Sequence, residues 1–172
     1  MVLKIGGSLL VLAASSLIGW ILAGDFSRRP NELRALQGML EMFETEITFM
    51  SNVIADAFDK ISKSSQSSVA LFFKLTAEKL QAGGMNACQA WEAAVKEGIR
   101  ATALNKEDES ILLSFGKMLG NSDVEGQVKN IRLTLHQLKL QEQKAEESRK
   151  KNESMCKSLG VLGGLAVVVV LC

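Results

Sequence analysis

The sequence predicts an all-α protein, with a cytoplasmic bundle of about six helices flanked by an amino-terminal and a carboxyl-terminal transmembrane helix. The 172 residues include one Pro and no Tyr, and no stretch alternates apolar and polar residues as a half-buried strand does. Apolar residues in the middle instead recur at helical spacings of three and four. Both ends are hydrophobic, and every charge except Lys4 lies between Asp25 and Lys157, nineteen acidic and nineteen basic. A charged segment of this size can bury one core, so one domain is expected.

The amino-terminal anchor is predicted over residues 1–24. Residues 5–24 form a run of twenty uncharged residues, which is long enough for a helix to cross a bilayer core of about 30 Å. A cleaved signal peptide is the alternative. It is disfavoured because only Lys4 precedes the run and Ile21 interrupts the small-residue pattern of a cleavage site.

The domain itself is assigned to residues 25–140, and its first half predicts three helices. Pro30 suits the first turn of a helix. A second, short helix is expected over residues 53–63, and a Ser-rich connector then leads to a third helix that begins near Ser67 or Ser68 and ends at Gly83. The first helix has one apolar stripe, made of Leu33, Leu36, Leu40, Phe43, Ile47 and Met50.

The second half of the domain predicts two further helices and the start of a long one. Asn86 can cap a fourth helix that carries Trp91 and Val95, and Asn105 opens a fifth that ends at Gly120. The acids of "KEDE" after Asn105 suit a helix amino terminus. Three residues are expected to structure the start of the last helix: Ser122 and Glu125 lie at capping-box spacing, and Asp123 caps and supports the helix.

The last helix is expected to continue from Asp123 to the end of the chain. Its buried stripe is predicted to contain Val124, Val128, Ile131, Leu135 and Leu138. From Gln141 to Ser154 the only aliphatic side chain is Ala145, so residues 141–157 are interpreted as a charged helical stalk that buries no face in the domain. A coiled coil between two copies is the alternative, but the stretch lacks apolar residues at the core positions of a heptad.

Residues 158–172 are predicted to be the second transmembrane segment. The run from Leu159 has fourteen uncharged residues, which alone is short for a span, and a hydrophobic helix packed on the domain is the alternative. Gly160, Gly163 and Gly164 are small residues that would permit close helix contact within the membrane. Basic residues follow the first anchor and precede the second, which places the domain in the cytoplasm by the positive-inside rule. Arg28 and Arg29 are expected to meet lipid headgroups.

The sequence contains no pattern that indicates catalysis. His136 is the only histidine, the three cysteines show no metal-binding spacing, and no phosphate-binding loop is present. No enzyme activity, cofactor or metal is therefore expected. The balanced charge also argues against general nucleic-acid binding.

One stretch has a marked excess of acid. Between residues 35 and 59 there are five acids and no base, and these acids could dock a basic patch on a partner: Glu41, Glu44, Glu46, Asp56 and Asp59. An ordinary solvated helix face is the alternative. Glu46 lies beside the apolar stripe and could instead pair with a base of the domain.

Three segments together resemble the stage III sporulation protein AB family. They are "RRPNELRALQGMLEMFETEI" (residues 28–47), "GNSDVEGQVKNIRLTLHQL" (120–138) and "KKNESMCKSLGVLGGLAVVVVL" (150–171), so the resemblance extends to the end of the chain. The family occurs in endospore-forming Firmicutes and is similar in its cytoplasmic fold to the F-type platform proteins of type II secretion and type IV pilus machines. Those platforms carry two such domains, whereas this chain has one. Relatives usually carry Pro and Leu after the first helix, where this chain has "TFMSNVIAD".

The resemblance implies a place in the channel complex built between mother cell and forespore during engulfment. The protein would lie in the mother-cell membrane and help couple the complex's cytoplasmic secretion-type ATPase to its membrane components. A purely structural scaffold, which oligomerises or spaces channel components without contacting the ATPase, is the alternative. A holin-like pore is disfavoured because neither hydrophobic segment has a polar stripe to line water.

Overall fold

The structure is a computed structural model that describes residues 27–49, 53–120 and 123–171. These residues form only helices and connections between them, which confirms the all-α prediction. The described residues contain six α-helices: α1 Arg28–Phe49, α2 Ile54–Ser62, α3 Ala70–Ala82, α4 Ala87–Gly98, α5 Lys106–Gly116 and α6 Val124–Leu171; a short 3-10 helix, Ile99–Ala101, follows α4. The predicted anchor over residues 1–24 lies outside the described residues, as do Met50 and Ser122.

The chain divides into two compact units. One contains Arg29–Gln143 and is called the bundle below; the other contains Met1–Arg28 with Lys144–Cys172. Within the part of the chain that the structure describes, no helix combines the length and the apolar character needed to cross a membrane. Both membrane anchors therefore stay predictions.

Five aromatic rings form the centre of the bundle, and each of the first five helices supplies one of them. Their centroids lie 4.6–6.4 Å apart in tilted and edge-to-face pairs, which is the favoured geometry for aromatic side chains. The rings are those of Phe43, Phe58, Phe73, Trp91 and Phe115. Trp91 is fully buried, and its indole N–H donates to the Leu112 carbonyl at 2.7 Å. One cluster therefore joins α1 to α5.

Local sequence signals explain most helix boundaries. Asn86 and Asn105 each accept a hydrogen bond from the backbone three residues on and form complete capping boxes with Gln89 and Asp108. Gly83 follows α3 with φ 78°, a conformation that favours glycine.

Two predicted boundaries are wrong. The third helix begins at Ala70, after a turn in which the Ser67 carbonyl accepts from the Ala70 N–H. The fifth helix ends at Gly116 rather than Gly120. The Gly116 carbonyl accepts a hydrogen bond from the Leu119 N–H, three residues on. The chain therefore tightens into turns instead of continuing the helix.

The apolar stripe of α1 is buried as predicted from Leu33 to Ile47, whereas the predicted stripe of α6 is fully buried only at Ile131 and Leu138. Val124 is 54% exposed, and Val128 and Leu135 are only half-buried. The buried residues of α6 in the bundle are instead Gln127, Ile131, Thr134, Leu138, Gln141 and Glu142. Apart from Glu142, these residues are spaced four and three apart as in a heptad seam, and polar and apolar side chains alternate along it. Counting only apolar residues therefore missed the polar members of the buried face and included valines and a leucine at its border.

The predicted long last helix is present, since α6 runs unbroken for 48 residues, about 72 Å at ~1.5 Å per residue. The expectation that no face is buried from Gln141 onward is wrong. Gln141, Glu142 and Ala145 are 8%, 6% and 4% exposed. The two polar side chains are buried through hydrogen bonds to other helices of the bundle, which a stripe of apolar residues does not reveal.

Candidate functional site

The five acids singled out in the sequence do not form one acidic face. Glu44 accepts a hydrogen bond from Arg132 of α6 at 2.8 Å. Glu46 is 6% exposed and pairs with Lys60 of α2, as the alternative interpretation of that residue foresaw. These two residues of α1 therefore reach to different neighbouring helices, and their charges are used within the bundle.

The remaining three acids are more accessible. Glu41 on α1 and Asp56 on α2 are exposed and make no ion pair within the described residues. Asp59 accepts a hydrogen bond from Lys63 at 2.6 Å, one helical turn away. Exposed pairs of this kind contribute little to stability and are readily exchanged. Glu41 and Asp56 are thus the acids best placed to meet a partner.

An ion pair between α1 and α5 is the most deeply buried charged contact. Asp108 is fully buried; its carboxylate accepts from Arg29 Nε at 2.8 Å and from Arg29 Nη2 at 3.0 Å. The same carboxylate closes the capping box at Asn105, whose N–H donates to it at 2.9 Å. Arg29 also donates to Gln141 of α6 at 3.1 Å. The expectation that Arg29 meets lipid headgroups is therefore wrong, because its guanidinium is committed to this buried carboxylate.

Glu142 of α6 is the centre of a second polar contact with α1. Arg34 Nε donates to one carboxylate oxygen at 2.7 Å, while Gln37 and Lys139 donate to the other at 3.1 and 2.8 Å. Burial alone raises the pKa of Glu142, but the hydrogen bonds from Lys139, Gln37 and Arg34 outweigh it and lower the pKa from 4.5 to about 2. The carboxylate is therefore ionised whenever the bundle is folded near neutral pH.

This pKa predicts how acid weakens the bundle. Because the folded-state pKa of Glu142 is depressed, its stabilising contribution is complete above the unfolded value of 4.5 and is lost as the pH falls toward 2. We expect the free-energy difference between wild type and Glu142→Gln to be largest above about pH 5 and to disappear near about pH 2. Chemical denaturation of both proteins across this range would measure it. A difference that does not change with pH would contradict the expectation.

The start of α6 has the cap expected of Asp123. Its carboxylate accepts from the Gly126 N–H at 2.9 Å, one position before the helix begins at Val124. Glu125 lies exposed in the first turn, and Ser122 is not among the described residues. The structure describes the helical backbone at Gly160, Gly163 and Gly164 but not the side chains around them.

The described residues contain no cluster of side chains suited to bind a metal. No group of three or more His, Cys, Asp or Glu side chains there could hold a metal ion. His136 is exposed on α6, and Cys88 is half-buried on α4. What the bundle offers is a set of charged side chains held on packed helices.

The most important polar residues of the bundle were not singled out in the sequence. Asp108 was visible only as one acid of the "KEDE" run, and its position three residues after Asn105 was a signal for the capping box. Its partner Arg29 is 79 residues away, and nothing local indicates that pairing. Glu142 appeared as one charge of a supposed stalk, with partners 105 and 108 residues away.

Comparison with known proteins identifies a family that spans nearly the whole chain. The family model described as stage III sporulation protein AB matches residues 4–172. A protein of Bacillus subtilis (strain 168) with that name is 32% identical over 169 residues, covering 98% of this chain and 99% of the relative. A solved structure of stage III sporulation protein AB matches with a TM-score of 0.69 and 30% identity, covering 72% of this chain and 98% of the solved one.

Proposed function

Because the chain belongs to the stage III sporulation protein AB family, we propose that it acts in sporulation as a non-enzymatic membrane platform. In this proposal residues 1–24 and 158–172 anchor the protein in the mother-cell membrane around the forespore, and the bundle lies in the cytoplasm. There it couples a secretion-type ATPase to the membrane components of the channel complex. The proposal assigns the protein a mechanical and organising role, with the energy supplied by the partner.

The observation that carries this proposal is the continuity of α6. A single helix contains Ile131 and Leu138, which are fully buried in the bundle, and also the uncharged carboxyl-terminal segment predicted to enter the membrane. This helix contains no proline, and its continuity from the bundle to that segment suits a protein that joins a cytoplasmic motor to membrane partners.

A structural scaffold without ATPase contact is the second candidate. One observation favours the scaffold. Glu44 and Glu46 are paired within the bundle, so the acidic surface available to an ATPase is smaller than the sequence indicated. The two candidates share the fold and the membrane location and differ only in whether the bundle binds the ATPase.

Binding to the purified ATPase of the complex separates the two candidates. We expect the full-length protein in nanodiscs to bind it saturably at low salt. A Glu41→Lys/Asp56→Asn variant should bind about tenfold more weakly, because it removes the accessible acids that steer encounter with a basic patch. Surface plasmon resonance at several salt concentrations would measure both the affinity and its electrostatic part.

A matched control keeps the change in net charge and moves it elsewhere. Glu78→Lys/Glu125→Gln alters one exposed acid within α3 and one in the first turn of α6, just as the test variant alters one within α1 and one in the first turn of α2. The control should bind as wild type does. Equal weakening by both variants would place the dock elsewhere, and no binding by wild type would favour the scaffold.

A further inference from the structure

The solvent side of α6 within the bundle carries two large apolar side chains. Leu133 and Leu140 are 57% and 46% exposed. They are seven residues apart, so they lie on the same side of the helix and about 10.5 Å apart along its axis. Lys129, His136 and Gln137 are also exposed there. We call these five residues the outer face of α6.

The charge beside this face is positive, although the ion pairs there are formally balanced. Arg132 is 71% exposed while its partner Glu44 is 21% exposed, and Lys139 is 56% exposed while Glu142 is 8% exposed. In each pair the acid is recessed and the base is presented to solvent. From Gly126 to Gln141, α6 itself contains no acid. A partner approaching α6 therefore meets cations first.

We propose that the outer face of α6 binds an acidic amphipathic helix of another protein. Two leucines in one line, seven residues apart, match the way a partner helix places apolar anchors along a groove or a neighbouring helix. The exposed bases beside them complement acids that flank such anchors. None of the five residues of the outer face belongs to the proposed ATPase contact, which uses Glu41 and Asp56.

Two other occupants fit the chemistry less well. Pairing the outer faces of two copies would bring Lys129 and the exposed Arg132 and Lys139 of each chain close to the same bases of the other, and like charges across an interface are unfavourable. A lipid surface would favour a continuous apolar face, but Gln137 separates Leu133 from Leu140 on the exposed side. A protein helix can meet isolated leucines with isolated pockets.

The test uses the full-length protein in neutral-lipid nanodiscs and synthetic helical probes. The first probe is an acidic peptide of about three heptads with Leu at every seventh position. A second has the same composition with its leucines on opposite faces, and a third replaces Glu by Lys. We expect only the first to bind, with an affinity that falls as salt rises. Fluorescence anisotropy of labelled peptides would measure it.

Variants assign the binding to the outer face. Leu133→Ser/Leu140→Ser should weaken binding of the first probe at least about tenfold, because both anchors are lost. Lys129→Glu should weaken it and reduce its salt dependence. Met85→Ser/Met118→Ser removes two exposed apolar side chains elsewhere and should leave binding unchanged. These positions are exposed, so Trp91 fluorescence, in a Trp20→Phe background, should show that every variant stays folded.

Several outcomes would overturn the proposal. They are equal binding of the first two probes, no effect of the leucine variant, preferential binding of the basic probe, or binding of anionic vesicles through the same leucines without any binding of the acidic probe. A photo-crosslinking residue at position 133 in the sporulating host should form adducts with an acidic helical segment of another protein. Adducts only with a second copy or with lipid, or none at all, would also contradict it.

Discussion

Replacing Asp108 with Ala is expected to lower the free energy of unfolding by about 3–5 kcal/mol, the range observed when one partner of a buried ion pair is removed. The substitution deprives the Arg29 guanidinium of two charge-assisted hydrogen bonds, at 2.8 and 3.0 Å, in a place where little water can replace them. It also leaves the Asn105 N–H without its acceptor at the start of α5. Both losses arise from one fully buried carboxylate.

Chemical denaturation followed by Trp91 fluorescence, in a Trp20→Phe background, would measure this loss. Glu109→Ala is the matched control, since it removes an acid from the same helical turn but should cost less than about 1 kcal/mol through the helix dipole alone. The double variant Arg29→Met/Asp108→Ala should cost less than the sum of its single substitutions, because each removes the same contact. Equal costs for Asp108→Ala and Glu109→Ala would contradict the importance of the pair.

Adding one methyl group at Gly116 is expected to cost about 3 kcal/mol, the upper end of the usual range for overpacking. A Cβ at this position would lie 2.4 Å from Cδ1 of Trp91, closer than nonbonded carbon atoms approach. The indole cannot easily move away, because its N–H is bonded to Leu112 and its faces and edges meet Phe58, Phe73 and Phe115. Gly116→Ala therefore strains the centre of the bundle.

Gly38→Ala provides the control for this substitution. Gly38 lies within α1, and a Cβ there would meet nothing within 4 Å. Exchanging glycine for alanine inside a helix should then stabilise the bundle by about 0.5–1 kcal/mol. The two Gly-to-Ala substitutions should thus shift the denaturation midpoint in opposite directions. A shift of the same sign for both would show that Trp91 can move away from the added methyl group.

Much of the fold could be predicted from local signals. Asn86 and Asn105 marked helix starts, Gly83 marked an end, and the stripe from Leu33 to Ile47 marked the buried face of α1. These features depend on residues within a few positions of one another. The predicted stripe of α6 was right at Ile131 and Leu138 but missed the polar residues that alternate with them. Only the contacts with α1 and α5 show that Gln141 and Glu142 are buried.

The candidate site could be predicted only in part. The excess of acid between residues 35 and 59 is real, but a sequence does not show where an acid's partner lies. Glu46 pairs with a base 14 residues further on and Glu44 with one 88 residues further on. Arg29 was interpreted from its position beside a predicted anchor, whereas its role is set by Asp108 on a distant helix. Long-range pairing of charges decides which residues reach a partner.

The alternation of polar and apolar residues along the buried seam of α6 has a mechanical consequence. A seam of uniform leucines could slip by one heptad with little penalty, whereas here a slip would separate Glu142 from Arg34 and Gln37 and would bring Thr134 toward the place of Gln141. Tension applied along the axis of α6 would load these hydrogen bonds together, in shear, rather than one after another. The seam therefore resists sliding of α6 along α1.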